Sequence, residues 1–415
     1  MYQQQLHARG LVDFDDLVVL PVRLLETSPD LVDHYRSRYR WVSVDEYQDI
    51  DPLQYRLVRL LVPPDGNLCV IGDPDQAIYG FRGADVSCFQ RFQGDFPSAR
   101  TISLVRNYRS TRTIVDASLE LIEPASLITG RRLEARSQAL EQIEIHECPT
   151  DRAEAEFVVH TIERLIGGST FFSMDSGRVE THDGEALSFA DFAVLYRTEA
   201  QAEPLTEAFA RSGMPFQKRS HVSLADQPAV RALVDKMEAL PEDQSVLERL
   251  DQAAAELRDD DPQADASLSA LRLLAGRHQD NWQQFVRELA LGVDVDLWDP
   301  RADRVSLLTL HAVKGLEFPV VFIVGCEDGL IPLHWGSPQE SDLAEERRLL
   351  FVGMTRACRR LYVSHARKRR WHGKIRTPEV SPFLRDIRQS LLSRLRHRAA
   401  KKPPARQNQR TLFEL

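Results

Sequence analysis

The chain has 415 residues, 43% of them hydrophobic and 28% charged, and a formal net charge of −9. That length holds two or three domains with cores of their own, and no apolar run of about 18 residues is present to cross a membrane. The acidic balance excludes a protein that coats nucleic acid over its whole surface, though not one that binds it in a lined groove. The start, Met1 to Gln5, lacks the basic and apolar regions of a signal peptide, so the cytoplasm is the expected compartment. Cys69, Cys88, Cys148, Cys326 and Cys358 lie far apart with no Cys-x-x-Cys pair, and read as reduced thiols.

Along the chain, short apolar and β-branched runs end in acidic, Gly or Asn-containing turns and alternate with helical patterns, which predicts an α/β protein with parallel sheets. The runs are 41–44, 68–71, 101–104, 192–196, 305–310, 319–324 and 361–364. Ligands of such sheets sit beyond the carboxyl ends of the strands, so chemistry is expected there. Residues 167–184, rich in Gly, Ser, Thr and Asp, read as a surface excursion. From 223 to 291 the pattern is helical and almost free of strand signal, as in an inserted subdomain, with an acidic loop at 258–265. Trp282 and Trp298 flank the end of this insert as packing residues. His146 and His160 stand singly, as structural histidines do. Basic residues gather at 367–376 and 385–410, and after 394 the composition is that of a disordered tail.

Two strand ends carry candidate chemistry. The first run leads into Asp45 and Glu46: Mg²⁺ takes hard oxygen ligands, and a second carboxylate can deprotonate an attacking water. Alone, such a pair is also an ordinary surface turn. The next run leads into Gly72 to Ala84, where Gln76 could sense a phosphate and Tyr79 and Phe81 offer flat faces to unpaired bases.

DEYQD at 45–49 and GDPDQAIYGFRGA at 72–84 resemble motifs II and III of the UvrD, PcrA and Rep family of superfamily 1 DNA helicases. LVRNYRS at 104–110, TLHAVKGLEF at 309–318 and EERRLLFVGMTRA at 345–357 are similar to its motifs IV, V and VI, in order. The resemblance implies two RecA-like parallel-sheet domains, the first incomplete, with a reduced helical insert in the second. Their expected limits are 1–105 for the first domain, 106–222 and 301–393 for the second, 223–300 for the insert and 394–415 for the tail.

The resemblance also implies ATP and Mg²⁺ as cofactors, single-stranded and duplex DNA as partners, and 3′ to 5′ translocation. Asp45 would hold the metal, Glu46 would act as base, and Gln76 would sense the γ-phosphate. Arg109 and Arg356 would be arginine fingers reaching from the second domain to charge that builds on the transferred phosphoryl group. Tyr108 would stack on adenine, while Gly315 and Glu317 would also bind the nucleotide, Glu317 accepting from a ribose hydroxyl. Thr309 and His311 would touch DNA phosphates, and Tyr79, Phe81 and Arg82 would line the single-strand path. Phe81 stands where the family usually has tryptophan, which keeps a π face but loses area and a donor.

A loop of the form G-x-x-x-x-G-K-[ST], which cradles phosphates, does not occur; the one Gly-Lys step, Gly373-Lys374, is followed by Ile375. Residues 11–17 resemble the family segment shortly before motif II. The chain therefore reads as a portion of a helicase, a poor ATPase alone, although one half of a split enzyme and a hydrolysis-dead binding module stay open. The short insert implies modest unwinding. Gln409, Leu412 and Phe413 fit the pattern Q-x-x-L-F, which resembles the peptide that docks on the sliding clamp.

Overall fold

The computed structural model describes residues 2–137, 140–167, 187–219, 224, 228–241, 244–256, 268, 271–272, 274–278, 281–291, 302–334, 340–371 and 373–397. The chain divides into two compact units, Met1–Gln138 with His334–Thr355, and Ala139–Leu333 with Arg356–Leu415. Among the described residues no helix is long and apolar enough to cross a membrane.

The first unit opens with α1 (Tyr2–Ala8), α2 (Asp16–Thr27) and α3 (Pro29–Arg38). Strand β1 (Val42–Val44) then crosses over through α4 (Pro52–Leu61) to β2 (Leu68–Val70) and pairs with it in parallel, Val42 opposite Leu68. Asp51 fixes the start of α4: its Oδ1 accepts the N–H groups of Leu53 and Gln54 at 2.7 and 2.9 Å, and the Gln54 side chain accepts the Asp51 N–H. Pro52 occupies the first turn, where its missing N–H costs nothing. Tyr47, Ile50 and Cys88 form a small core, on which Phe89 and Phe92 of α5 (Ser87–Asp95) pack.

After α5, β3 (Arg106–Thr111) crosses through α6 (Arg112–Ile122) to a parallel partner, β4 (Glu134–Ser137). The strand expected at 101–104 does not form. Ile102 and Leu104 are 83% and 85% exposed, and pairing begins only at Arg106, where β4 offers backbone partners. A late helix, Glu340–Met354, packs on α6, with Arg347 Nη1 donating to the Leu121 carbonyl at 2.8 Å. The first compact unit includes β3, α6 and β4 together with this late helix.

The second unit contains β5 (Ile143–Cys148), α7 (Asp151–Leu165), β6 (Phe192–Tyr196), α8 (Ala202–Ser212) and β7 (Phe216–Arg219). Helices α9 (Pro228–Glu238), α10 (Val246–Glu256) and α11 (Trp282–Leu291) follow, then β8 (Val305–Thr309) and β9 (Phe318–Ile323). The late helix of the first unit, α12 (Glu340–Met354), precedes β10 (Ala357–Ala366), the hairpin β11 (Arg369–Trp371) and β12 (Lys374–Arg376), and β13 (Leu392–Arg396). Seven strands form one parallel sheet in the order β13-β5-β10-β9-β6-β8-β7.

Helices on a parallel sheet bury its central strands, so these read as continuous apolar runs; β6, for example, is buried at all five positions. The edge strands β7 and β13, by contrast, read FQKR and LSRLR and give no such signal. Arg394, Leu395 and Arg396, expected in the tail, instead pair with Ile145, His146 and Glu147. Residues 398–415, with Gln409, Leu412 and Phe413, lie outside the described residues, as do 168–186, 257–267 and Trp298. Helices α9 to α11 bury a core of their own, including Leu233, Leu250 and Phe285. Trp282 packs on it, with the Arg249 guanidinium 4.5 Å from its ring.

Candidate functional site

In the first unit, β1 delivers Asp45 and Glu46 to the surface, and Glu46 adopts φ 50° and ψ 41°. It is the one non-glycine residue with positive φ among the described residues, a conformation that costs about 1–2 kcal/mol. Its neighbours over-determine the turn. Asp45 Oδ1 accepts the Glu46 N–H at 2.8 Å, the Tyr47 N–H donates to the Ile71 carbonyl at 2.9 Å, and Gln48 Nε2 donates to Glu46 Oε2.

Gln48 is wholly buried, and its Oε1 accepts the Asp73 N–H at 3.0 Å, so one side chain ties the loop after β1 to the loop after β2. The contact requires glycine at 72, where a Cβ would overlap Gln48 Oε1 and lie 3.0 Å from the Phe89 ring. Asp73 carries the linkage onward. Its Oδ2 accepts from Gln76 Nε2 at 3.0 Å, and its two oxygens take the fork of Arg131 at 2.6 and 2.5 Å. Arg131 also reaches Asp75 Oδ2 at 2.9 Å. Burial works to raise the Asp73 carboxyl, but the hydrogen bonds and charge of Arg131 outweigh it and hold the group below its usual range.

Beyond Gln76 a tight turn, closed by Gly83 at φ 91°, presents Phe81 at 64% exposure. The Tyr79 and Phe81 rings lie 6.2 Å apart, and the Arg82 guanidinium is 5.7 Å from each. Burial, reinforced by the charge of Asp49, pushes the Tyr79 phenol up to about 12, so it stays a neutral donor. A cation over two flat faces suits stacking against bases. Gly80 leaves room for α12: a Cβ there would be 2.7 Å from Glu345 Oε2.

Tyr108 on β3 is also exposed, and Arg136 of β4 lies 5.8 Å from its ring. Asn107 Oδ1 accepts the N–H groups of Arg109 and Ser110 at 3.0 and 2.8 Å, which shapes the strand here. Arg109 Nη1 donates to the Thr355 carbonyl at 3.4 Å. Arg109 packs in the first compact unit, with Asp45, Glu46, Gln76, Tyr79, Phe81, Arg82 and Tyr108.

The second unit holds the remaining candidates at two places: Thr309 and His311 follow the carboxyl end of β8, whereas Glu317 and Arg356 precede β9 and β10 at their amino ends. Thr309 Oγ1 accepts the Ala312 N–H at 3.1 Å, which turns the chain through His311 toward Gly315 at φ 86°. Glu317 is exposed, and the Phe318 N–H donates to the Arg356 carbonyl at 3.0 Å. Arg356 is buried, at 3% exposure, and its Nη1 donates to the Leu316 carbonyl at 3.4 Å.

Asp45 offers hard oxygen at an exposed strand end. No group of three or more His, Cys, Asp or Glu able to hold a metal occurs among the described residues. This donor set fits Mg²⁺, which keeps most of its waters and is shared between one or two carboxylates and a nucleotide's phosphates.

The first unit thus brings together a carboxylate pair, a buried glutamine that links two loops, and the exposed ring of Phe81. Residues 1–97 match the model of the UvrD/REP helicase N-terminal domain, and residues 102–234 and 247–368 that of the UvrD-like helicase C-terminal domain. The chain belongs to the UvrD-like helicase family. It is 30% identical over 482 residues to the ATP-dependent DNA helicase PcrA of Staphylococcus aureus, covering 94% of this chain and 64% of the relative. The same-named protein of Leuconostoc citreum is 28% identical over 485 residues, covering 94% and 63%. The chain thus spans 63–64% of the length of these curated relatives.

Four residues that build the site escaped the sequence. Gln48, Asp73 and Asp75 sit inside the quoted motifs; burial marks Gln48 and Asp75, and the grip of Arg131 marks Asp73. Arg131 had no signal at all, being one of two adjacent arginines 58 and 56 residues from its partners.

Proposed function

We propose that this chain forms part of an ATP-dependent DNA motor that moves 3′ to 5′ on single-stranded DNA. The observation that carries the hydrolytic part of this reading is the hydrogen-bonded series from Glu46 through Gln48 and Asp73 to Gln76, which ties a candidate base to a candidate phosphate sensor; the polarity rests on the family resemblance alone. Bound Mg²⁺ would neutralise phosphate charge and be held by Asp45. Glu46 would take the proton of the attacking water and Gln76 would orient toward the terminal phosphate. Arg109 and Arg356 would neutralise developing charge, Tyr108 would stack on adenine, and Glu317, next to Gly315, would accept from the ribose. Tyr79, Phe81, Arg82, Thr309 and His311 would contact the DNA strand.

The 415 residues hold no phosphate-cradling glycine loop. On its own, therefore, the chain should bind Mg·ATP weakly and turn it over slowly, gaining activity when a loop-bearing segment is supplied. Calorimetry with Mg·ATP, followed by DNA-stimulated turnover with and without such a segment, tests this. Tight unaided binding with rapid turnover would refute the dependence on a supplied loop, and absence of turnover in the supplemented protein would favour a binding module. The tail peptide at Gln409, Leu412 and Phe413 is proposed to dock on a sliding clamp; unchanged clamp binding after Leu412→Ala with Phe413→Ala removes that idea.

A further inference from the structure

Arg131 takes no part in the proposed chemistry, yet the network around Gln76 converges on it. Its Nη1 donates to Asp73 Oδ1 at 2.6 Å and Asp75 Oδ2 at 2.9 Å, and its Nη2 donates to Asp73 Oδ2 at 2.5 Å. The side chain is 12% exposed and Asp75 is fully buried. Asp75 also accepts the Ser126 hydroxyl at 2.6 Å and the Leu127 N–H at 2.7 Å, so its orientation is set by the segment after α6. The guanidinium lies 5.1 Å from the ring of Phe351, a buried residue of α12.

One planar fork therefore satisfies two carboxylates while its face packs on α12, a geometry that a lysine point charge does not reproduce. Asp73 is gripped from two sides, through its N–H by Gln48 and through its carboxylate by Arg131. The same carboxylate holds Gln76 Nε2 at 3.0 Å.

We propose that Arg131 is a positioning residue for Gln76: it locks the Asp73 carboxylate, and that carboxylate fixes the rotamer of the Gln76 amide at the ends of β1 and β2. Through Phe351, the same guanidinium ties that rotamer to the helix carrying residues 345–354. The consequence for catalysis rests on the proposed role of Gln76; the consequence for the amide does not.

The test labels the full chain with side-chain ¹⁵N-glutamine and assigns the Gln76 amide by its loss in Gln76→Glu. Arg131→Lys keeps one charge and Arg131→Met keeps only bulk. Both should move the Gln76 amide signal and speed exchange of its Nε2 protons by about tenfold, the scale of one hydrogen bond to a charged group. The signals of Gln54 and Gln217 should stay in place and so report that both units remain folded. If Arg131→Met unfolds the first unit, Arg131→Lys decides. An unmoved Gln76 signal in a folded variant overturns the proposal. Where turnover is obtained with a loop-bearing segment, Arg131→Lys should lower kcat without raising KM and should not add to Gln76→Ala. Absence of turnover in every form counts against the motor, while the amide result still decides the role of Arg131.

Discussion

Replacing Arg369 by methionine removes the only cation from a buried cluster in the second unit. Arg369 Nε and Nη2 donate to the two oxygens of Glu327 at 2.8 and 2.6 Å, and Nη2 also donates to Glu154. The three side chains are 6%, 1% and 3% exposed. Glu154 in turn accepts the Gly325 N–H at 3.0 Å and the Ser364 hydroxyl at 2.7 Å, and Glu327 accepts the Ala366 N–H at 2.6 Å. The cluster thus joins α7, β10, the turn after β9 and the base of the β11–β12 hairpin. Removing one partner of a buried pair costs about 3–5 kcal/mol, because the other charge stays buried.

The loss should depend on pH. Even in the native chain burial raises the Glu327 carboxyl above 4.5, against the opposing pull of Arg369. A carboxyl raised on folding binds its proton more tightly in the native state. Its contribution to stability is therefore present below the unfolded value and lost as pH rises through the folded one. Without the arginine Glu327 should rise further, so the deficit of Arg369→Met should be largest near pH 8 and shrink toward pH 5 by about 1.4 kcal/mol per unit for each proton taken up. Urea titration read by hydrogen exchange of β9 and β10 peptides follows the second unit alone. A loss below about 1 kcal/mol, or one equal at both pH values, would refute the assignment of a charged, desolvated cluster.

Glu46→Gln keeps an oxygen that can accept from Gln48, so melting of the first unit should change by less than about 0.5 kcal/mol while turnover of the supplemented motor is abolished. Gly72→Ala should cost about 1–3 kcal/mol by driving a methyl into Gln48, measurable as a lowered urea midpoint for peptides of β1 and β2. His397 bonds to His146 Nδ1 at 2.7 Å, and burial first, then the charge of His146, holds it below 6.5. Its contribution is present above that value and lost as pH falls, so protection of β13 amides should drop on acidification, and His397→Asn should flatten the drop.

Much of the fold was legible because burial on both faces turns a strand into an uninterrupted apolar run, as at 192–196 and 319–324. Where one side of a strand is an edge, as in β7 and β13, charged residues are tolerated and the signal vanishes. The run at 101–104 misled for the opposite reason: apolar composition alone does not supply a pairing partner, and the ladder starts two residues later.

The candidate site divides in the same way. Asp45 and Glu46 directly follow β1, and Gln76, Tyr79 and Phe81 lie in the turns after β2, so spacing along one chain was enough to single them out. The sequence by itself also determined the family, since ordered motifs survive when little else does. Only the tertiary structure brought Arg131 to Asp73, Arg369 to Glu154 and His397 to His146, pairs separated by 58, 215 and 251 residues. Such partners are chosen by the need to satisfy buried charge and polar atoms, a condition that exists only after folding has removed water from both.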